Sequence, residues 1–263
     1  ALTTWLIHIL LCFIVLVCVF PILWMCLIAF KDPSESLTGF HSLVVQSPTF
    51  SNFIRLTELI PIAQNTFNST FTTLMGTVTS LFFCSLAGFA FAKYKFPGRN
   101  FLFYFLLATM LVPAEVGAVP LFIIMKKVNL INSLWSLIIP KIATAIGIFY
   151  MNQYISDVPD ELIEAARIDG AGFFQQFWYI TLPNIKGSLA LCALLRTIDT
   201  FRLFEKVNVL TGGGPAGTTT TITQFLYTYG IKSLDFGFGS AGAIVMTLLV
   251  LILSSFYIKR AMG

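Results

Sequence analysis

Long runs without a single Asp, Glu, Lys or Arg constrain this chain more than any other feature. They cover residues 5–30, 67–92 and 236–258. At about 1.5 Å per helical residue, each run is long enough to cross a hydrocarbon core of roughly 30 Å. Charged residues make up only 11% of the 263 residues, and hydrophobic residues make up 57%. A soluble domain is about 25% charged, so the sequence predicts an all-α polytopic membrane protein.

Three further spans are predicted, at about 101–125, 134–155 and 187–210. The stretch "VPAEVGAVP" interrupts the first of them. Hydropathy alone supports five spans, because residues 187–210 contain several charges, each costing about 2.5–3.5 kcal/mol at the bilayer centre. If this stretch crosses the membrane, its charged face must line water or other protein. We therefore predict six transmembrane helices in one domain of residues 1–263.

The ends and the orientation of the chain follow from the same pattern. Residues 5–30 lack the small-residue cleavage site of a signal peptide, so we interpret them as a span and expect some residues to precede Ala1. The basic turn "KYKFPGRN" at residues 93–100 favours a cytoplasmic location by the positive-inside rule. Residues 156–186 and the C-terminal end then lie on the same side.

An acidic segment follows the fourth predicted span. Pro159 and the two acids after it are typical of a helix start, and Gly170 predicts a break in a left-handed conformation. A second amphipathic helix is expected over residues 173–182, stopping before Pro183. The small residues Ala165 and Ala166 would let another backbone approach closely. The segment therefore fits a groove on a partner protein, or else lies at the membrane interface as an ordinary connector.

Four charged residues within predicted spans are candidates for lining a solute pathway. They are Glu115, Lys141, Asp199 and Arg202. Charges at such depth are expensive and mark pathways or ion pairs between helices, and both readings stay open for each residue. Glu115 could accept hydrogen bonds from hydroxyl groups of a solute or pair with Lys141 or Arg202.

Catalytic, metal and nucleotide motifs are lacking in the sequence. The five cysteines lie in apolar runs without metal-ligand spacing. The run "TGGGP" at residues 211–215 lacks the spacing and the lysine of a phosphate-binding loop. We therefore predict that the chain is not an enzyme and carries no metal and no cofactor of its own. The net charge of +4 is small and spread out, so we predict no nucleic-acid partner.

The acidic segment also carries a specific resemblance. Its pattern consists of Glu164-Ala165-Ala166, Gly170, Ile180 and Leu182-Pro183. It resembles the EAA loop of permease subunits of bacterial ABC importers, and "PDELIEAARIDGA" resembles the carbohydrate branch that includes the maltose permeases. The N-terminal part is similar to the second permease subunit of such pairs and the C-terminal part to the first, so the position within a pair stays open.

The resemblance implies a multi-pass permease of the bacterial inner membrane that imports a sugar or oligosaccharide. It implies as partners, besides membrane lipid, a second homologous permease subunit, an extracytoplasmic solute-binding protein and two cytoplasmic ATPase subunits that hold ATP and Mg. The residues implied to couple to the ATPase are Glu164, Ala165, Ala166, Asp169, Gly170, Leu182 and Pro183. The alternative is a stand-alone secondary transporter or channel for a small polar solute, which has no need of a docking helix.

Overall fold

Every regular element is helical in the residues that the computed structural model describes, 2–59 and 62–262. The α-helices in this part of the chain are α1 Leu2–Ala29, α2 Ser51–Leu59, α3 Ile62–Lys93, α4 Arg99–Thr109, α5 Ala118–Lys127, α6 Trp135–Ile138, α7 Ala145–Ser156, α8 Asp160–Ile168, α9 Phe173–Gln176, α10 Leu182–Asn184, α11 Lys186–Phe201, α12 Ile222–Leu226 and α13 Phe236–Met262. The all-helical prediction is confirmed for these residues.

Three of these helices are long and apolar enough to cross a membrane. The qualifying segments are Thr4–Ala29 of α1, Ala63–Lys93 of α3 and Phe236–Ser255 of α13. They fall on the three uncharged runs of the sequence. Along α1 the large side chains are exposed, for example Trp5 at 71% and Leu16 at 65%, which suits contact with lipid tails.

The other apolar stretches form shorter helices with breaks between them. Residues 110–117 separate α4 from α5, where the prolines of "VPAEVGAVP" predicted an interruption. A 3₁₀ turn at Ile139–Lys141, which contains Pro140, precedes α7. Helix α11 ends at Phe201, and a π-helical turn follows at Val207–Thr211.

One expectation for the acidic segment is wrong. The helix does not stop before Pro183, because a π-helical turn at Phe177–Thr181 leads directly into α10, which contains that proline in its first turn. The wider turn accommodates a residue without an N–H. Side chains satisfy carbonyl groups there: the Thr181 hydroxyl donates to Gln176 O at 3.2 Å, and Asn184 Nδ2 donates to Ile180 O at 2.7 Å.

The described contacts group into two compact units. The first comprises Ala1–Ala63 with Ile222–Leu249, and the second comprises Gln64–Thr221 with Val250–Gly263. In the first unit, an ion pair of 2.7 Å joins Arg55 to Asp235. The backbones of Gly230 and Gly239 approach so closely that a Cβ on Gly230 would lie 2.7 Å from the Gly239 Cα. The buried hydrophobic core of this unit contains Ala29, Leu56, Phe225, Phe238 and Ala241.

The second unit holds all the candidate coupling residues and the described candidates for the pathway. Its larger core packs α3 and α7 against the acidic segment, with Phe89, Met151, Ile163 and Phe177 buried. Glycine permits the close approach of α3 to α7, because a Cβ on Gly88 would lie 2.8 Å from Asn152 N. The buried face of the acidic segment therefore packs against α3 and α7.

Candidate functional sites

The acidic segment begins at α8, and a single lysine fixes its start. The Lys93 amine, at the end of α3, donates to Asp160 Oδ1 at 2.6 Å and to Val158 O at 2.5 Å. A longer contact of 3.4 Å reaches Ser156 O at the end of α7. The Lys93 side chain is only 3% exposed. The hydrogen bond from Lys93 and its charge, with Lys95 adding a smaller charge effect, hold the pKa of Asp160 below its ordinary value.

The tyrosine next to Lys93 fixes the second half of the segment. Tyr94 Oη donates to Gln176 Oε1 at 2.8 Å, and Gln176 Nε2 donates to Ala171 O at 2.6 Å. The guanidinium of Arg167 lies 5.7 Å from the centre of the Tyr94 ring, within the range of cation–π attraction. Phe173 also packs against that ring. The segment is thus attached to the end of α3 at both of its helices.

The turn between α8 and α9 has the geometry that its glycine predicted. Gly170 has a φ of +81°, the left-handed conformation that most residues avoid. The N–H of Ala171 donates to Ala166 O at 2.8 Å, and the N–H of Gly170 donates to Arg167 O at 3.1 Å. This pair of bonds is the usual C-terminal cap of an α-helix.

The residues predicted to couple to a partner lie mostly on the solvent-facing side. Glu164, Ala165, Asp169, Gly170 and Pro183 are exposed, whereas Ala166 and Leu182 are half-buried. Sequence analysis missed Ile168, an apolar side chain that is 86% exposed on the same helix. It lies one helical turn from Glu164, on the same face. Its exposed side chain is available for contact with another protein beside Glu164 and Asp169.

A second group of predicted residues meets around one carboxylate. Asp199 Oδ2 lies 3.7 Å from Lys141 Nζ and 3.5 Å from Arg196 Nη1, and Asp199 Oδ1 lies 3.6 Å from Arg202 Nη2. Arg196 Nη2 also donates to Lys141 O at 3.0 Å. The structure thus brings together Lys141, Asp199 and Arg202 and adds Arg196. The side chain of Glu115 lies outside the described part of the structure.

A cavity of about 380 Å³ opens beside this cluster, a volume within the usual range for small-molecule sites. Arg196 and Asp199 line it from α11, and Tyr150 lines it from α7. Hydroxyl and thiol groups complete the polar part of the wall, from Ser80, Thr144, Cys84 and Cys192. The wall therefore mixes an aromatic ring, hydroxyl groups and charges.

The glycine-rich loop lies at the other end of α3. Gly212, Gly213 and Gly214 all have positive φ, which explains the run of three glycines. Asn68, near the start of α3, donates from Nδ2 to Thr218 O and Thr220 O, both at 2.9 Å. From Asn68 to Lys93 the helix rises about 38 Å at about 1.5 Å per residue. The loop and the acidic segment are therefore separated by roughly the thickness of a membrane.

Known proteins resemble the chain over most of its length. The family described as "Binding-protein-dependent transport system inner membrane component" matches residues 84–260. The arabinooligosaccharides transport system permease protein AraQ of Halalkalibacterium halodurans is 33% identical over 87% of this chain and 85% of its own. The sn-glycerol-3-phosphate transport system permease protein UgpE of Yersinia enterocolitica is 32% identical over 60% of this chain and 56% of its own.

The solved structures agree with the fold. A bacterial ABC transporter for import of the acidic polysaccharide alginate contains a chain with a TM-score of 0.84 and 22% identity. The match covers 98% of this chain and 96% of the other. At this identity the likeness establishes the fold alone.

Proposed function

Because the chain belongs to the family of binding-protein-dependent transport system inner membrane components, we propose that it forms half of the translocation pathway of an ATP-driven importer. A second, homologous permease forms the other half. A solute-binding protein delivers the substrate from outside, and two cytoplasmic ATPase subunits, which hold ATP and Mg, supply the energy. Membership in a binding-protein-dependent system argues against a stand-alone carrier or channel.

The observation that carries this proposal is the two-sided construction of the acidic segment. Glu164, Ala165 and Ile168 of α8 are exposed, whereas Ile163 of the same helix is buried in the core with Phe89 of α3. Lys93 and Tyr94, at the end of α3, hold the segment by bonds to Asp160 at the start of α8 and to Gln176 of α9. When a groove on an ATPase moves the outer side, the inner side must move α3 with it. The segment thus converts closure of the ATPase into motion of a long apolar helix.

The individual coupling residues have different roles in this proposal. Ala165 and Ala166 allow close contact with the groove, and Ile168 adds an apolar contact. Glu164 and Asp169 pair with basic groups of the ATPase. Gly170 sets the angle between the two halves of the segment, and Leu182 and Pro183 lead into α11.

We propose six membrane crossings for the chain. Helices α1, α3 and α13 supply three of them. The crossings at about 101–125, 134–155 and 187–210 are composite, each made of helical pieces separated by a break. Such breaks are tolerated within a membrane where they face protein or a water-filled cavity. The acidic segment at residues 156–186 then lies on the cytoplasmic side of a bacterial inner membrane.

The substrate class that we propose is a sugar or oligosaccharide. The arabinooligosaccharide relative supports this class. The cavity beside Asp199 offers hydroxyl groups, a carboxylate and the ring of Tyr150, which can hydrogen-bond to sugar hydroxyls and pack against a sugar face. Lys141, Asp199 and Arg202 are the proposed pathway residues, and Glu115 is proposed from its sequence position alone.

Cysteine cross-linking in the assembled transporter tests the coupling role. Ala165→Cys should cross-link to an ATPase subunit that carries a cysteine in its docking groove, and the yield should change when ATP binds. Ala216→Cys is the matched control, because Ala216 is exposed in the glycine-rich loop at the other end of α3. Cross-linking of Ala216→Cys but not Ala165→Cys to the ATPase would contradict the proposed docking.

A further inference from the structure

The cluster around Asp199 contains more positive than negative charge. Lys141, Arg196 and Arg202 all approach this one carboxylate, which leaves an excess of two positive charges. The neighbouring cavity, of about 330 Å³, is lined by Glu205 and Lys206, whose charges cancel. Glu205 and Lys206 therefore do not offset the excess around Asp199.

The hydrogen bonds within the cluster do not use up its donors. The three distances to Asp199 are 3.5–3.7 Å, longer than the 2.7–2.9 Å of a charge-assisted hydrogen bond. The Nε atom of Arg196 is buried without a hydrogen-bond partner. A buried donor without an acceptor is costly, and uncompensated charge within a membrane is more so. Because Asp199 accepts no short hydrogen bond from Lys141, Arg196 or Arg202, terminal N–H groups of these cations can bond to further anionic oxygens.

We infer that the imported saccharide is anionic and that Arg196, Arg202 and Lys141 bind its negatively charged group on the way through the membrane. This inference rests on the proposed function. The anionic group is a carboxylate, as in a uronate, or a phosphate ester. Both match the forked donors of arginine. Asp199 keeps the three cations together when no substrate is bound and limits how tightly an anion is held, so that it can leave.

Uptake of matched saccharides tests the inference. The complete transporter, with its binding protein, is reconstituted in liposomes with ATP on the ATPase side. The probes are trigalacturonate against galactotriose for the carboxylate, and maltose 6′-phosphate against maltose for the phosphate. We expect ATP-driven uptake of one anionic probe to exceed that of its neutral counterpart at least tenfold. Faster uptake of the neutral members would overturn the inference and leave the proposed importer intact.

A substitution in this chain distinguishes substrate selection by the pathway from substrate selection by the binding protein. Arg202→Gln removes a charge from a side chain that is 70% exposed, so its effect on folding should be small. We expect uptake of the anionic probe to fall about tenfold, since a charge-assisted bond is worth roughly that factor. The affinity of the binding protein for the probe cannot change. Lys127→Gln, at the exposed end of α5, is the control, and an equal loss in both variants would contradict the inference.

Thiol labelling tests the charge of the cavity without any substrate. Cys192 lines the same cavity as Arg196 and Asp199, and the other four cysteines can be replaced. In the complete complex, Cys192 should react several-fold faster with an anionic than with a cationic methanethiosulfonate, once each rate is divided by the rate of the same reagent with a free thiol in solution, and Arg202→Gln should reduce this ratio. A ratio of one would show that acidic groups of the second permease neutralise the cluster, which would overturn the inference. If no saccharide is imported under ATP, the importer proposal fails instead, whatever the ratio is.

Discussion

At the scale of single residues, Lys93 has the strongest predicted effect on coupling. Lys93→Met keeps the length of the side chain but removes its bonds to Asp160, Val158 O and Ser156 O. Hydrogen bonds to charged groups contribute about 1.5–3 kcal/mol, and the exposure of Asp160 places the loss near the lower end. We expect the ATPase to continue while uptake falls several-fold. Lys95→Met, at an exposed neighbour, should leave both rates unchanged.

The same ion pair predicts a particular dependence on pH. The pKa of Asp160 is lowered in the folded protein from its ordinary value of 3.8, first by its hydrogen bond from Lys93. A lowered carboxyl pKa stabilises the fold above the unfolded value, and this stabilisation is lost only as pH falls through the folded value. Asp160→Asn should therefore lower the unfolding temperature in detergent by the same small amount at every pH between about 5 and 8. A difference that shrinks towards pH 5 would contradict this assignment.

Residue-scale prediction from sequence succeeds where the signal is local. The left-handed φ of Gly170 follows from glycine at the end of a short amphipathic run. The role of Lys93 could not be predicted, because two of its acceptors are backbone carbonyls more than sixty positions away, and any residue type has a carbonyl. Ile168 was missed for a similar reason, since only the packing of Ile163 inward determines which face of α8 is exposed.

At the scale of the elements, the turn between α8 and α9 requires glycine at one position only. Gly170 has a φ of +81°, and no atom lies within 4 Å of an added Cβ, so the cost of substitution is conformational. Gly170→Ala should cost about 1–2 kcal/mol. Gly170→Val should leave assembly partly intact but uncouple ATP hydrolysis from uptake. Gly172→Ala is the control, because Gly172 has a φ of −72° and only a distant contact. Normal uptake by Gly170→Val would weigh against coupling through this turn.

Two glycines of α3 allow a matched test of its packing against α7 and α11. A Cβ on Gly88 would lie 2.8 Å from Asn152 N, whereas a Cβ on Gly76 would lie 3.5 Å from the Thr200 methyl group. Gly88→Ala must push backbones apart and should cost about 1–3 kcal/mol, whereas Gly76→Ala should be nearly neutral. The half-life of each purified variant complex, at the temperature where the unaltered complex is half unfolded, measures the two costs. Equal stability of the two variants would contradict the close approach.

At the scale of the whole molecule, the sequence predicts continuous helices better than broken ones. Uncharged runs predict α1, α3 and α13 to within a few residues, because an apolar run in a membrane must bond its backbone internally. The proline rule fails at Pro183, since a π-helical turn changes the hydrogen-bond register without a sequence signature. The cluster around Asp199 could be predicted only in part. The three-residue spacing of Arg196, Asp199 and Arg202 lets neighbours pair on one helix face, but the approach of Lys141 depends on how the turn before α7 packs.

The placement of the glycine-rich loop and the acidic segment at opposite ends of α3 makes a last prediction. The side chain of Asn68, on α3, donates to the loop carbonyls of both Thr218 and Thr220. Asn68→Asp keeps its shape but removes both donors, which leaves acceptors facing acceptors at a cost of about 1–3 kcal/mol. We expect faster hydrogen exchange in residues 212–220. Because we also expect this loop, on the outer side of the membrane, to touch the binding protein, stimulation of the ATPase by that protein should be several-fold smaller. Asn132→Asp, at an exposed position between α5 and α6, adds the same charge and should change neither. Asn68→Asp could instead reduce the cross-linking of Ala165→Cys to the ATPase and leave the stimulation by the binding protein intact. That result would contradict the view that the two ends of α3 act on opposite sides of the membrane.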